Sequence, residues 1–286
     1  MRSNFVERKN EKPQTHLKSI GSTMTLETHT SSSIVKMLLL GRSGSGKTGH
    51  LGTLAKAGYR IFLADFDSGL DILLDPKVLD PSLRSKIHYQ TFYDKNLLLG
   101  GQMRPEAKGY TNFINAMADW KEDGKSLGSI YTWGENDIFV IDSLTFLGNS
   151  IMNHVLGLSG RGGQKPQLQD YGAAVDTQEA VIETLYNPAV KCNVIVTAHL
   201  MYMGDEATGG VNKAFPSAIG RKLPPKISRY FNNVVQIQKS GTGANVKFEL
   251  QTTATHDTDL KVSKPSLIKP VMPADLGELF KLLRQN

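Results

Sequence analysis

The chain has 286 residues, of which 40% are hydrophobic and 21% charged, and it carries a net charge of +6. That length holds one large domain or two small ones, and the composition is that of a soluble globular protein. The single cysteine, Cys192, excludes an intrachain disulfide and a cysteine-based zinc site. No apolar run approaches the ~20 residues that span a bilayer, and no signal-peptide core opens the chain, so a cytoplasmic protein without membrane contact is expected.

Residues 1–33 are polar, lack a sustained hydrophobic period and end in Ser31-Ser32-Ser33. They read as a flexible extension ahead of a single domain over 34–286. Ile34–Leu40 is an apolar run of the kind that forms a strand buried on both faces of a parallel sheet. It ends in Gly41-Arg42-Ser43-Gly44-Ser45-Gly46-Lys47-Thr48, which matches G-x-x-x-x-G-K-[ST] at every fixed position. A helical pattern follows to Ala57 and stops at Gly58. The chemistry needs this arrangement. Glycines let the backbone N–H groups close on phosphates, and the start of the helix adds partial positive charge. Lys47 is expected on the β- and γ-phosphates, and Thr48 on Mg²⁺.

Tyr59–Ala64 is a second strand, running into Asp65, Asp67 and Asp71. A carboxylate there would lie near a γ-phosphate and could orient water; Asp71 reads as a helix cap or a surface acid. Ile87–Phe92 is a third strand. Phe113, Ile114, Met117 and Trp120 share one helical face. Asp137–Ile141 is a strand that places Asp142 at its C-terminal edge as a second metal ligand, with Ser143 beside it. A further helix, marked by Ala174, Val181 and Leu185, lies between Asp170 and Asn187. Asn193–Ala198 ends at His199, a position for sensing the γ-phosphate, although a lone histidine is more often structural. Asn232–Gln238 and Asn245–Gln251 read as an antiparallel hairpin, and Ala274–Leu283 as a last helix. Strands alternating with helices predict an α/β fold with a mostly parallel sheet flanked by helices.

From Ala207 to Phe248 there is no acidic residue, while Lys213, Arg221, Lys222, Lys226, Arg229, Lys239 and Lys247 fall in that window. The rest of the chain then carries +6 − 7 = −1. A localised basic patch fits a polyanion, or a basic loop lying near an acidic patch of its own fold.

In this order, the P-loop, the acid-ended second strand, Ile141-Asp142-Ser143, the polar end of the next strand and the long basic loop resemble the RecA-like ATPase core. The likeness extends to compact phage RecA-like ATPases of single-strand annealing and recombination. It rests on Asp142-Ser143-Leu144-Thr145, Val196-Thr197-Ala198-His199-Leu200 and Phe231-Asn232-Asn233-Val234-Val235, and covers residues 34 to about 284. The resemblance implies ATP with Mg²⁺ at Gly41–Thr48, between subunits of a ring or filament. It implies Lys47, Asp67, Asp142 and His199 as catalytic residues, with Asp67 in place of a glutamate and His199 in place of a glutamine. It implies two DNA-contacting loops. The first, Gly157–Asp170, carries Arg161 and Lys165. The second, Met201–Lys226, carries Lys213, Arg221, Lys222 and Lys226, with Arg229 just beyond and Tyr202 and Phe215 able to stack on bases. Lys261 and Lys264 match the trans-acting lysines of RecA weakly. The activity so implied is ATP-dependent single-stranded DNA annealing or strand exchange, with a single-strand-binding protein as a further partner. A nucleotide-dependent assembly or regulatory protein, a hexameric helicase-type motor and a small-molecule kinase are the alternatives.

Overall fold

Strands made of consecutive apolar residues need a core on both faces, because side chains alternate across the sheet. The computed structural model describes residues 33–94, 96–99, 102–205 and 209–285. Ser31–Asn286 is one compact unit. Strand β1 (Lys36–Leu40) leads through the P-loop into α1 (Lys47–His50) and α2 (Gly52–Lys56), then β2 (Arg60–Asp65) and β3 (Ile87–Thr91). Hairpin β4 (Asn96–Leu99) and β5 (Gln102–Pro105), helix α3 (Gly109–Ala118) and hairpin β6 (Lys121–Glu122) and β7 (Lys125–Ser126) come next. Then follow β8 (Asp137–Asp142), α4 (Leu144–Leu158), α5 (Leu168–Tyr186) and β9 (Asn193–Ala198). The chain closes with β10 (Leu200–Asp205), β11 (Val211–Pro216), α6 (Pro224–Ile227), β12 (Asn233–Ser240), β13 (Lys247–Gln251), β14 (Val271–Pro273) and α7 (Leu276–Arg284).

The main sheet has the order β14-β13-β12-β1-β9-β8-β2-β3. From β12 to β3 every pairing is parallel, and β13 and β14 are added antiparallel. This is the expected α/β, RecA-like arrangement, with its C-terminal antiparallel hairpin. Leu38, Leu40, Phe62, Phe139, Val194 and Val196 pack under α3, α4 and α5; their chain neighbours Met37, Leu39, Ile61, Ile138 and Ile195 pack under α2 and α7. Lys36 Nζ donates to the carbonyls of Leu185 (2.7 Å) and Asn187 (3.0 Å), closing the C-terminal end of α5 where a cation is favoured.

Several elements differ from the sequence reading. The helix after the P-loop is broken into two turns at Leu51. Trp120 is buried in the same core as Phe113, but beyond the end of α3. Helix α4 runs to Leu158 and α5 starts at Leu168, so the first expected loop is shorter than Gly157–Asp170. The second is not a loop throughout: Leu200–Asp205 and Val211–Pro216 pair as an antiparallel hairpin. Gly209 and Gly210, both at positive φ, stand where the chain turns between those strands. The extension expected over 1–33 lies outside the described residues except for Ser33. Among the described residues no helix is long and apolar enough to cross a membrane.

Cys192 is fully buried, and burial pushes its thiol up to about 12. At pH 8 the folded protein is therefore expected to resist a thiol reagent such as DTNB, with one equivalent reacting only as denaturant unfolds the chain. Rapid labelling under native conditions would contradict this packing.

Candidate functional site

All parallel strands point their C-terminal ends at one edge of the sheet, and the loops beyond those ends meet there. Gly41 follows β1, Asp67 follows β2, Asp142 ends β8 and His199 follows β9. The P-loop strand and the Asp142 strand are not neighbours, because β9 lies between them. His199 is thereby inserted between the P-loop and Asp142.

In the P-loop, Gly44 and Gly46 adopt φ values of 71° and 95°, which glycine takes without strain. A Cβ on Gly46 would also stand 3.0 Å from the Phe248 ring. Lys47 is buried, and its Nζ donates to Gly41 O at 2.9 Å and Arg42 O at 3.1 Å. Burial lowers its pKa, opposed by the charges of Asp142 and Asp67. Ser45 Oγ is buried with no hydrogen-bond partner. An orphaned hydroxyl, a buried ammonium and glycine-freed backbone N–H groups fit a phosphate chain.

Asp142 is buried at the end of β8, yet both carboxylate oxygens have partners. Thr48 Oγ1 donates to Oδ2 at 2.6 Å and Thr197 Oγ1 to Oδ1 at 2.5 Å. Burial raises its pKa; the two hydroxyls and Lys47 oppose that rise. The two residues expected to hold Mg²⁺, Thr48 and Asp142, are thus hydrogen-bonded to each other. Among the described residues no cluster of three or more His, Cys, Asp or Glu could hold a metal by itself. Magnesium commonly relies on one or two carboxylates together with substrate phosphates, and this donor set suits it.

Asp67 Oδ1 accepts from Ser143 N (3.0 Å) and Ser143 Oγ (2.9 Å), and Oδ2 lies 3.6 Å from His199 Nε2. His199 Nδ1 is 3.5 Å from Lys47 Nζ. Three of the four residues expected to be catalytic are therefore in contact, Lys47 to His199 to Asp67, while Asp142 is bonded to Thr48 and Thr197. Asp65 has a different place. Its Oδ1 accepts from Asp67 N and Ser68 N, and Thr91 Oγ1 donates to its Oδ2. It shapes the turn that carries Asp67, with Ser68 at φ 56°. Asp71 is exposed in a 3₁₀ turn, Leu70–Leu74, as the surface reading had it.

His199 is also the junction to the β10–β11 hairpin. Its N–H donates to Thr145 Oγ1 at 3.1 Å, its carbonyl accepts from Ser217 N at 2.7 Å, and Thr145 Oγ1 donates to Ser217 O at 3.2 Å. Arg221, Lys222 and Arg229 are exposed beyond the hairpin and Lys226 is half-buried. Lys213 Nζ lies 3.6 Å from Asp259. On the α4–α5 connection Lys165 is exposed, whereas Arg161 makes a two-pronged pair with Asp170 and is largely buried. Lys264 bonds the Gln285 carbonyl, and Lys261 is exposed. Thr197, Thr145 and the Arg42–Tyr202 contact were not singled out from sequence. The one available signal was a threonine, Thr197, inside the otherwise aliphatic run Val194–Ala198.

A family model described as an AAA domain matches residues 33–262. The chain belongs to this AAA domain family. With the P-loop and its sheet order, that makes it a P-loop ATPase of RecA-like architecture. No curated protein matches the sequence. Among solved structures, a KaiC-like protein from Pyrococcus horikoshii OT3 is 12% identical, with 80% of this chain and 82% of that one covered at a TM-score of 0.39. The flagellar accessory protein FlaH from Methanocaldococcus jannaschii is 10% identical, with 83% of each covered at a TM-score of 0.42. A RadB recombinase is 12% identical, with 76% and 80% covered at a TM-score of 0.40. Likenesses this distant say nothing of what this member of the AAA domain family acts on.

A buried acid with a raised pKa weighs against folding once it ionises. From 3.8 upward through the raised Asp142 value, the folded state holds the proton more tightly than the unfolded chain, so stability falls as pH rises. Asp142→Asn removes that ionisation. In urea melts of the nucleotide-free protein the stability of the variant relative to the parent is expected to rise as pH rises through this window. A difference between the two that does not change with pH would contradict the assignment.

Proposed function

We propose that this ATPase hydrolyses ATP with Mg²⁺, binds single-stranded DNA and promotes annealing or strand exchange in phage-type recombination. The observation that carries the proposal is the junction at His199. The residue beside Lys47 and Asp67 is the first residue of the connection into the hairpin at the head of the basic stretch. In this reading, nucleotide state and DNA affinity are linked through one residue.

The P-loop backbone from Gly41 to Thr48 and Lys47 hold the phosphates. Thr48 and Asp142 would hold a Mg²⁺ ion, which supplies charge neutralisation on the transferred phosphoryl group. Asp67 orients water as a general base, and Ser143 fixes its rotamer through two hydrogen bonds to one oxygen, leaving Oδ2 on the His199 side. Arg221, Lys222, Lys226, Arg229 and Lys165 replace counterions on a DNA backbone, and Tyr202 and Phe215 stack on bases. Arg161 and Lys213 join them only if their pairs with Asp170 and Asp259 open. A homo-oligomeric ring or filament and a single-strand-binding protein are the partners this reading implies.

The engagement of Arg161 and Lys213 by acids of the same chain favours one alternative, a nucleotide-dependent assembly protein whose basic segment meets protein. ATP hydrolysis measured with and without single-stranded DNA at two salt concentrations separates the two. The expected result is DNA stimulation that fades with salt. Lys47→Ala is expected to abolish hydrolysis, and Asp67→Asn to slow it about 10²–10⁴-fold, the usual worth of a general base. Hydrolysis indifferent to DNA, without salt-sensitive DNA binding, would leave the assembly protein as the better account.

A further inference from the structure

Arg42 leaves the P-loop and reaches the hairpin. Its Nη2 donates to the Tyr202 hydroxyl at 3.1 Å, and its guanidinium carbon lies 5.7 Å from the centroid of the same ring. Tyr202 stands on β10, three residues beyond His199, and is 46% exposed. The backbone of Arg42 is tied the other way, because its carbonyl accepts from Lys47 Nζ. Arg42 and Tyr202 also line a cavity of about 420 Å³ together with Ser43, Gly44, Ser45 and Asp257. One residue thus bonds both the ammonium that would meet a phosphate and the hairpin.

A phenol is a neutral acceptor. Phosphate oxygens are charged, and an arginine bond to them is roughly twice as strong as a neutral one, often two-pronged. A phosphate chain in the loop therefore competes for both cations. Lys47 turns from the Arg42 carbonyl, and the guanidinium turns from the phenol. The ties left are those at the foot of the hairpin through His199, Thr145 and Ser217, and those of β11 to the 257–259 segment, where Ala214 N donates to Asp257 O at 2.7 Å and Lys213 pairs with Asp259.

We propose that Arg42 and Tyr202 form a positioning pair that holds the hairpin while the P-loop is empty, and that phosphate in the loop releases it and frees the Tyr202 ring. The pair is a second connection between the two regions, separate from His199. The inference rests on the nucleotide reading above and does not depend on DNA.

The test is amide hydrogen exchange on the full chain, free and with Mg²⁺ plus a non-hydrolysable ATP analogue, for the parent and Tyr202→Phe. Slower exchange over residues 41–48 reports occupancy. In the parent, occupancy is expected to speed exchange over 200–205 and 211–216 about fivefold, the worth of one exposed hydrogen bond. Tyr202→Phe keeps the ring and loses the acceptor. It is expected to exchange at the faster rate already when empty, with no further gain on binding. Inorganic pyrophosphate is expected to release the hairpin as the analogue does, since phosphate and not base is the trigger. Slower exchange at 41–48 without a hairpin response, or an unchanged response in Tyr202→Phe, overturns the pair alone. No change at 41–48 overturns the nucleotide reading, and the pair with it.

Discussion

The structure depends on a carboxylate placed where carboxylates are expensive. Asp142 ends a strand whose every residue is buried, and an unpaired charge there would cost several kcal/mol. Two hydroxyls meet it, Thr48 from the P-loop helix and Thr197 from the strand between. Those two bonds lock three segments in register: the start of α1, the end of β8 and the end of β9. The strand order makes this geometry available, because β9 separates β1 from β8 and brings Thr197 alongside Asp142. The same insertion puts His199 next to Lys47. One topological fact therefore sets both the satisfaction of the buried acid and the neighbours of the P-loop lysine.

A second carboxylate, Asp65, works one turn further out. It accepts from the backbone of Asp67 and Ser68 and from Thr91 on the neighbouring strand, so the turn after β2 is built around it. Asp67 is then delivered to Ser143 and His199. The two acids are two residues apart and look alike as text, but one is the buried scaffold of the turn and the other its half-buried product. Burial raises the Asp65 carboxyl, and three hydrogen bonds to it oppose that rise.

The P-loop was legible because its glycines, lysine and threonine answer to fixed backbone geometry at fixed spacing. The parallel sheet was legible because apolar runs such as Phe139-Val140-Ile141 have only one economical home, between two cores. The division of labour between Asp65 and Asp67 was not legible, since it depends on Thr91, 26 residues away. The β10–β11 hairpin was obscured for another reason. Leu200-Met201-Tyr202-Met203 lacks clean polar alternation, and the stretch without acids drew attention to its charge rather than to the Gly209-Gly210 turn signal. Arg161 shows the limit of reading charge from composition: its neighbour in space, Asp170, is also the residue that accepts from the Gln167 N–H at the start of α5.

The hairpin is therefore joined to the site by two routes of different stiffness. The first is main chain: His199 is covalently continuous with β10, and Thr145 and Ser217 clip it by bonds of 2.7–3.2 Å. A shift of His199 must move the root of the hairpin. The second is a single side-chain contact, Arg42 to Tyr202, open to solvent and easily exchanged for a stronger acceptor. A stiff route transmits displacement, while a weak competitive one sets a population. In the proposed reading, a γ-phosphate sensed at His199 moves the hairpin root, and any phosphate entering at Arg42 separately loosens β10. ADP and ATP would then give different hairpin states with no additional domain, because only the triphosphate reaches both.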